Sequence, residues 1–98
     1  LTSGTFIGPA TPTPTDTTWS YTIQNNVSAI RIIAFFEFGM EFRINNPYTA
    51  GTIGTPPEGH ILKHAVPLYI KAEKDDIICF RVLATIPSFA GFQVTELS

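Results

Sequence analysis

Every even-numbered position from 30 to 44 is apolar: Ile30, Ile32, Ala34, Phe36, Phe38, Met40, Phe42 and Ile44. The charged residues of the segment, Arg31, Glu37, Glu41 and Arg43, stand at odd positions. Successive side chains of an extended chain point to opposite faces, so a period of two predicts strand with one face in a core. Unbroken, such a strand would run ~50 Å at about 3.3 Å per residue, longer than strands of globular domains usually are. Gly39 is the natural place for a bulge, bend or hairpin that divides it.

The same period recurs along the chain. Trp19, Tyr21 and Ile23 alternate with Ser20, Thr22 and Gln24, and Asn25-Asn26 follows as a turn. Asn45-Asn46-Pro47 ends the long apolar segment, and residues 47–60, with Gly51, Gly54, Pro56, Pro57 and Gly59, read as a loop at the long end of the usual range. Strand-like composition resumes over 61–66, then over 68–72 with Leu68, Ile70 and Ala72 on one face. Lys74-Asp75-Asp76 is a turn, 77–83 places Ile78, Phe80 and Val82 inward with Arg81 outward, and 89–97 closes the domain. No segment sustains a 3.6-residue period between caps. Short strands separated by turns predict an all-β fold, a β-sandwich of jelly-roll-like kind. Residues 1–18 read as an extended Thr/Pro-rich arm or linker, in which Thr5-Phe6-Ile7 has the composition of a short edge strand, and 19–98 as the single sandwich domain.

Composition narrows the function classes. The chain of 98 residues is 44% hydrophobic and only 14% charged, against about 25% charged in ordinary domains. Sparse charge on so small a domain fits a sticky monomer or an obligate oligomer, and the oligomer, in which another chain covers part of the surface, is the preferred expectation. A net charge of −2, with Arg31, Arg43, Lys63, Lys71, Lys74 and Arg81 scattered, argues against nucleic acid. No apolar stretch approaches the roughly 20 residues of a membrane-spanning helix. Cys79 is single, which excludes an intrachain disulfide, and its apolar neighbours suit a buried thiol. The chain starts at Leu1 and reads as a piece of a longer protein or a processed product.

Candidate chemistry is thin. His60 and His64, with Glu58 near, have the spacing of two metal ligands on a helix turn, yet no third ligand stands beside them and Pro56, Pro57 and Gly59 precede them. We therefore expect no metal and no cofactor. Asp75-Asp76 with Glu73 suits turn chemistry and lacks the oxygen-rich loop of a calcium site. Glu37 and Glu41 would sit ~13 Å apart on a strand, beyond the about 5–9.5 Å of a glycosidase pair; cross-strand pairing with Lys63, Lys71 or Arg81 is the better expectation. No Gly-x-Ser-x-Gly elbow or phosphate loop occurs. Asn26-Val27-Ser28 matches the N-glycosylation triplet, a short pattern that recurs by chance. Tyr48 is the aromatic expected to be exposed, beside Asn45 and Asn46, either as a platform that stacks a sugar ring or as a plain loop anchor.

The segment from Leu68 to Val82, with Ser88-Phe89-Ala90-Gly91-Phe92-Gln93-Val94, resembles the closing strands of trimeric jelly-roll heads of complement and tumour-necrosis-factor type. Asp75-Asp76 stands where Gly-Asp is usual between two of those strands, and Phe89-Ala90-Gly91-Phe92 matches their final Phe-x-Gly-Phe element. The resemblance covers about a third of the chain. It implies a tight homotrimer with aromatics on the threefold axis and binding by exposed loops, as in phage and virus fibre tips, tail needles and head-decorating proteins.

The combined expectation is a non-enzymatic structural or adhesive module of a homo-oligomer, a virion component or an extracellular one. Phe36, Phe38, Phe42, Phe80, Phe89 and Phe92 are the expected oligomer contacts. Asn46, Tyr48 and His60 are the expected contacts to a cell-surface glycan or protein receptor. The alternative is a monomeric carbohydrate-binding module of a larger secreted protein.

Overall fold

The computed structural model describes residues 5–10, 17–85 and 90–97. Eight strands follow one another: β1 (Thr5–Ala10), β2 (Thr18–Thr22), β3 (Ala29–Phe35), β4 (Met40–Ile44), β5 (His60–Leu62), β6 (Leu68–Lys71), β7 (Ile77–Val82) and β8 (Ala90–Leu97). Among the described residues there is no helix. The strands form two four-stranded sheets, ordered β1-β8-β3-β6 and β2-β7-β4-β5, in which every ladder is antiparallel. The ladders nest: β1 pairs with β8, β2 with β7, β3 with β6 and β4 with β5. A long hairpin doubled over on itself in this way, split between two facing sheets, is a jelly-roll sandwich.

The long alternating segment divides where glycine permits it. β3 and β4 lie in different sheets, joined by a turn in which Gly39 N–H donates to Phe36 C=O at 3.0 Å with Gly39 at φ 87°. A side chain at that φ would be strained. The even-numbered phase survives the turn: Ile30, Ile32, Ala34 and Phe36 before it, and Met40 and Phe42 after it, all point into the core. Phe38, on the turn, and Ile44, at the end of β4, are exposed.

The core is filled from both sheets. Ile30, Ile32, Phe92 and Val94 of one sheet meet Met40, Phe42, Ile78, Phe80 and Val82 of the other, and Trp19 and Tyr21 pack at its margin. Phe80 and Phe92 stack across the sheets with centroids 3.8 Å apart and ring planes 19° from parallel. Phe36, Phe42, Phe80 and Phe92 are thereby interior to one chain. The expectation that they form an oligomer contact is corrected, because the sandwich has already used their surfaces. Phe38 alone of that set is exposed, and Phe89 lies outside the described residues.

Part of the expected arm belongs to the sandwich. β1 pairs with β8 at the edge of its sheet, with an irregularity between Ile7 and Ala10. The Thr/Pro run at 11–15 lies outside the described residues.

Candidate functional site

Alternation puts Glu41 and Arg43 of β4 and Cys79 and Arg81 of β7 on the outer face of their sheet. Ladder register sets Glu41 opposite Arg81 and Arg43 opposite Cys79. An outer face is ordinarily wet, yet Glu41 is 0% exposed and Arg81 4%. The cause is the β4–β5 loop, which folds back over them.

Each polar atom of the pair has a partner in that loop or across the ladder. Arg81 Nε donates to Glu41 Oε2 at 3.0 Å, its Nη2 to Glu58 Oε1 at 2.9 Å and its Nη1 to Thr52 Oγ1 at 2.9 Å. Glu41 Oε1 accepts from the Glu58 backbone N–H at 2.7 Å and from the Tyr48 hydroxyl at 3.2 Å. Thr17 Oγ1 donates to Thr52 C=O at 2.6 Å, which ties the residue just before β2 to the same loop. Burial opposes the charge on Arg81, but hydrogen bonds and attraction from Glu58 and Glu41 outweigh it and hold the guanidinium firmly protonated. A buried ion pair of this kind is tolerable because its remaining donors and acceptors are met.

Two glycines allow the close approach. A Cβ at Gly54 would overlap Glu41 Oε2 and the Leu83 side chain; one at Gly59 would overlap the Tyr48 hydroxyl and Phe42 C=O. The loop is therefore a strap fastened to the sheet, with Gly54 N–H also donating to Val82 C=O at 3.0 Å.

Tyr48 belongs to this strap. It is 9% exposed, with the Arg43 and Arg81 guanidiniums 4.0 and 4.4 Å from its ring centroid. Burial, the charge of Glu41 and the bond to it push the phenol above the ordinary tyrosine range. The expectation of an exposed sugar-stacking ring is corrected: cation–π contact with two arginines of the same chain occupies the ring. Asn46 and His60 are exposed, but without that aromatic platform. His60 instead tilts against Phe42 at 5.5 Å, and Asn46 presents its C=O to Arg43 Nε at 3.0 Å.

The histidines do not share a helix turn. His60 is in β5, whereas His64 makes an isolated bridge to Ala34 and meets the Phe35 ring edge-on at 6.4 Å. Among the described residues, no three His, Cys, Asp or Glu side chains gather to hold a metal ion. Cys79 is buried and lines, with Pro47 and Tyr48, a pocket of about 190 Å³. Burial pushes its thiol above the ordinary cysteine value.

At one end of the sandwich a second buried carboxylate does equivalent work. Glu96 follows Phe92 and Val94 in the inward phase of β8 and is 1% exposed. It accepts from the Tyr21 hydroxyl, the Gln24 N–H at 2.9 Å, the Asn25 N–H at 3.0 Å and Asn25 Nδ2 at 2.7 Å. Burial pushes its carboxyl up, but the donors together outweigh it and hold the group below the ordinary range. The β2–β3 connection is thus anchored on an anion. Ile23 N–H donates to Asp76 C=O at 2.9 Å and Asp75 N–H to Ile23 C=O at 3.0 Å, joining that connection to the β6–β7 turn. Asp76 accepts from Glu73 N–H at 2.9 Å and from Asn45 Nδ2 at 3.0 Å, bonds that lower its pKa. Three connections are cross-stitched at this end, and an open groove of about 1140 Å³ runs between two of them.

The class these features define is a jelly-roll module whose buried charges brace loops. A scan of protein-family models and searches of curated proteins and of solved structures find no match to this chain.

Proposed function

We propose that the chain is a non-enzymatic structural and adhesive head that works as a homo-oligomer, a trimer in the simplest form, of the kind that virions and fibres carry. The observation that supports this reading is the β5–β6 edge. Ile61, Val66 and Tyr69 are exposed by 50%, 52% and 62% along two edge strands and their connection. Edge strands offer unpaired backbone groups to a neighbouring chain, and here they carry apolar side chains with only Lys63 and Lys71 as charged blockers. The buried ionic groups Glu41, Arg81 and Glu96 are meanwhile committed to holding loops, which argues for a scaffold over a reaction centre.

Light scattering behind size exclusion tests this. The expected result is a mass of three chains that persists on dilution and falls to one chain in a Tyr69→Ser/Ile61→Ser variant that retains its strand circular dichroism. A monomeric parent protein overturns the reading.

A further inference from the structure

We infer that the open groove between the β2–β3 connection and the β6–β7 turn binds a neutral, hydroxyl-rich ligand, a saccharide. This rests on the adhesive half of the reading above and supplies the class of ligand. One wall presents Asn26 and Ser28; the other presents Lys71, Glu73, Lys74, Asp75 and Asp76. Val27 and Ala72 give the groove an apolar floor.

Three observations converge. First, the wall side chains other than that of Asp76 are unspent. Those of Asn26, Ser28, Lys71, Glu73, Lys74 and Asp75 make no hydrogen bond or ion pair among the described residues, although two ammoniums and two carboxylates share one short segment. The buried ionic groups elsewhere in the chain, Glu41, Arg81 and Glu96, are fully engaged. Second, the walls are fixed before any ligand arrives. Glu96 holds one, Asp76 holds the other, and Ala72 N–H donates to Ser28 C=O at 3.3 Å between them. Ordering done during folding does not have to be repeated on binding. Third, the groove carries charge of both signs: Lys71 and Lys74 stand among Glu73, Asp75 and Asp76, and the two carboxylate oxygens of Asp76 are already taken by Asn45 Nδ2 and Glu73 N–H. A phosphate would meet three carboxylates there, and a simple cation two ammoniums. A hydroxyl both donates and accepts, so a polyol satisfies ammonium, carboxylate and amide together, and a pyranose ring lays its C–H face on Val27.

The test titrates the full chain, ¹⁵N-labelled and produced in bacteria so that Asn26 carries no glycan, with a panel of neutral oligosaccharides. Amide shifts confined to 26–29 and 71–76 are expected with at least one of them. Kd should weaken about tenfold or more in Asn26→Ala and in Asp75→Asn; the second is chosen because asparagine tolerates the positive φ of 74° at that turn. Absence of shifts across the panel overturns the inference, as do shifts centred on Asn46 and His60, or an equal response to inorganic phosphate. The native mass of the same sample separates the two proposals. A trimer without shifts removes the saccharide site alone, and a monomer with shifts removes the oligomer alone.

Discussion

Arg81 and Glu41 stand directly opposite each other across the β7–β4 ladder, and their charged groups meet at 3.0 Å beneath a loop that hides both from water. Removing Arg81 leaves Glu41 buried without its counter-charge, and removing Glu41 leaves the buried Arg81 with only the exposed Glu58 to pair with. Arg81→Met or Glu41→Leu should each cost about 3–5 kcal/mol, and the double variant should recover much of that loss. Urea unfolding of the three variants gives the coupling. Additive losses would mean that the pair contributes little beyond packing.

The strap should fail from its own side as well. Gly59→Ala forces a methyl into the Tyr48 hydroxyl and the Phe42 carbonyl, and overpacking of this kind costs about 1–3 kcal/mol. Hydrogen exchange at the Gly54 amide, bonded to Val82 C=O, should quicken more than exchange at Phe92 in the sandwich core. Equal acceleration at both sites would place the damage in the fold as a whole.

Glu96 predicts an acid limb. Its folded pKa lies below the ordinary carboxylate value of about 4.3, so in that range the unfolded chain binds more protons than the folded one. Stability is therefore fully present above about pH 4.3 and falls as the pH drops through the depressed folded value. Glu96→Gln should lower stability at neutral pH by about 2–3 kcal/mol and flatten the limb. An unchanged slope in denaturant midpoints between pH 5 and pH 2 would assign the acid response to other carboxylates.

Cys79 should resist thiol reagents in the native protein. Its burial disfavours the thiolate, which is the reacting species. Labelling by 5,5′-dithiobis(2-nitrobenzoate) at pH 8 is expected to be slow and to quicken severalfold in Tyr48→Ala, which widens the pocket that both residues line. Rapid labelling of the unaltered chain would contradict the strap's closure.

Phe80→Ala and Phe92→Ala, in contrast to Tyr69→Ser, should leave the native mass unchanged while lowering unfolding free energy by about 3–5 kcal/mol each. Their rings contact each other inside the sandwich. A mass that fell with either would return these residues to an interface.

Local pattern carried the strands well. The even phase of 30–44 located the core side of β3 and β4, Gly39 marked the break, and Arg81 was among the expected cross-strand partners of Glu41. Burial of polar residues was harder to read. Tyr48 sits in a Gly/Pro-rich stretch that looks like an exposed loop, and only its return onto the sheet, three-dimensional and set by Glu58 and Thr52, encloses it. Glu96 did leave a trace: it shares the parity of Phe92 and Val94, an ionic residue on an inward face. Its donors, however, come from residues 21–25, at the far end of the chain, which no short-range pattern connects.

The nested strand order has a consequence for how the chain is made. In the sheet β1-β8-β3-β6, β8 is a central strand although it is the last described in sequence. Until it leaves the ribosome, β1 has no neighbour in that sheet and β3 has one side open. Phe80 likewise waits for Phe92, and the β2–β3 connection for Glu96. One sheet can thus assemble from β2, β7, β4 and β5 while the other still lacks its middle. Nascent chains stalled just short of β8 should be the most prone to associate wrongly, through the same backbone edges that the finished fold closes.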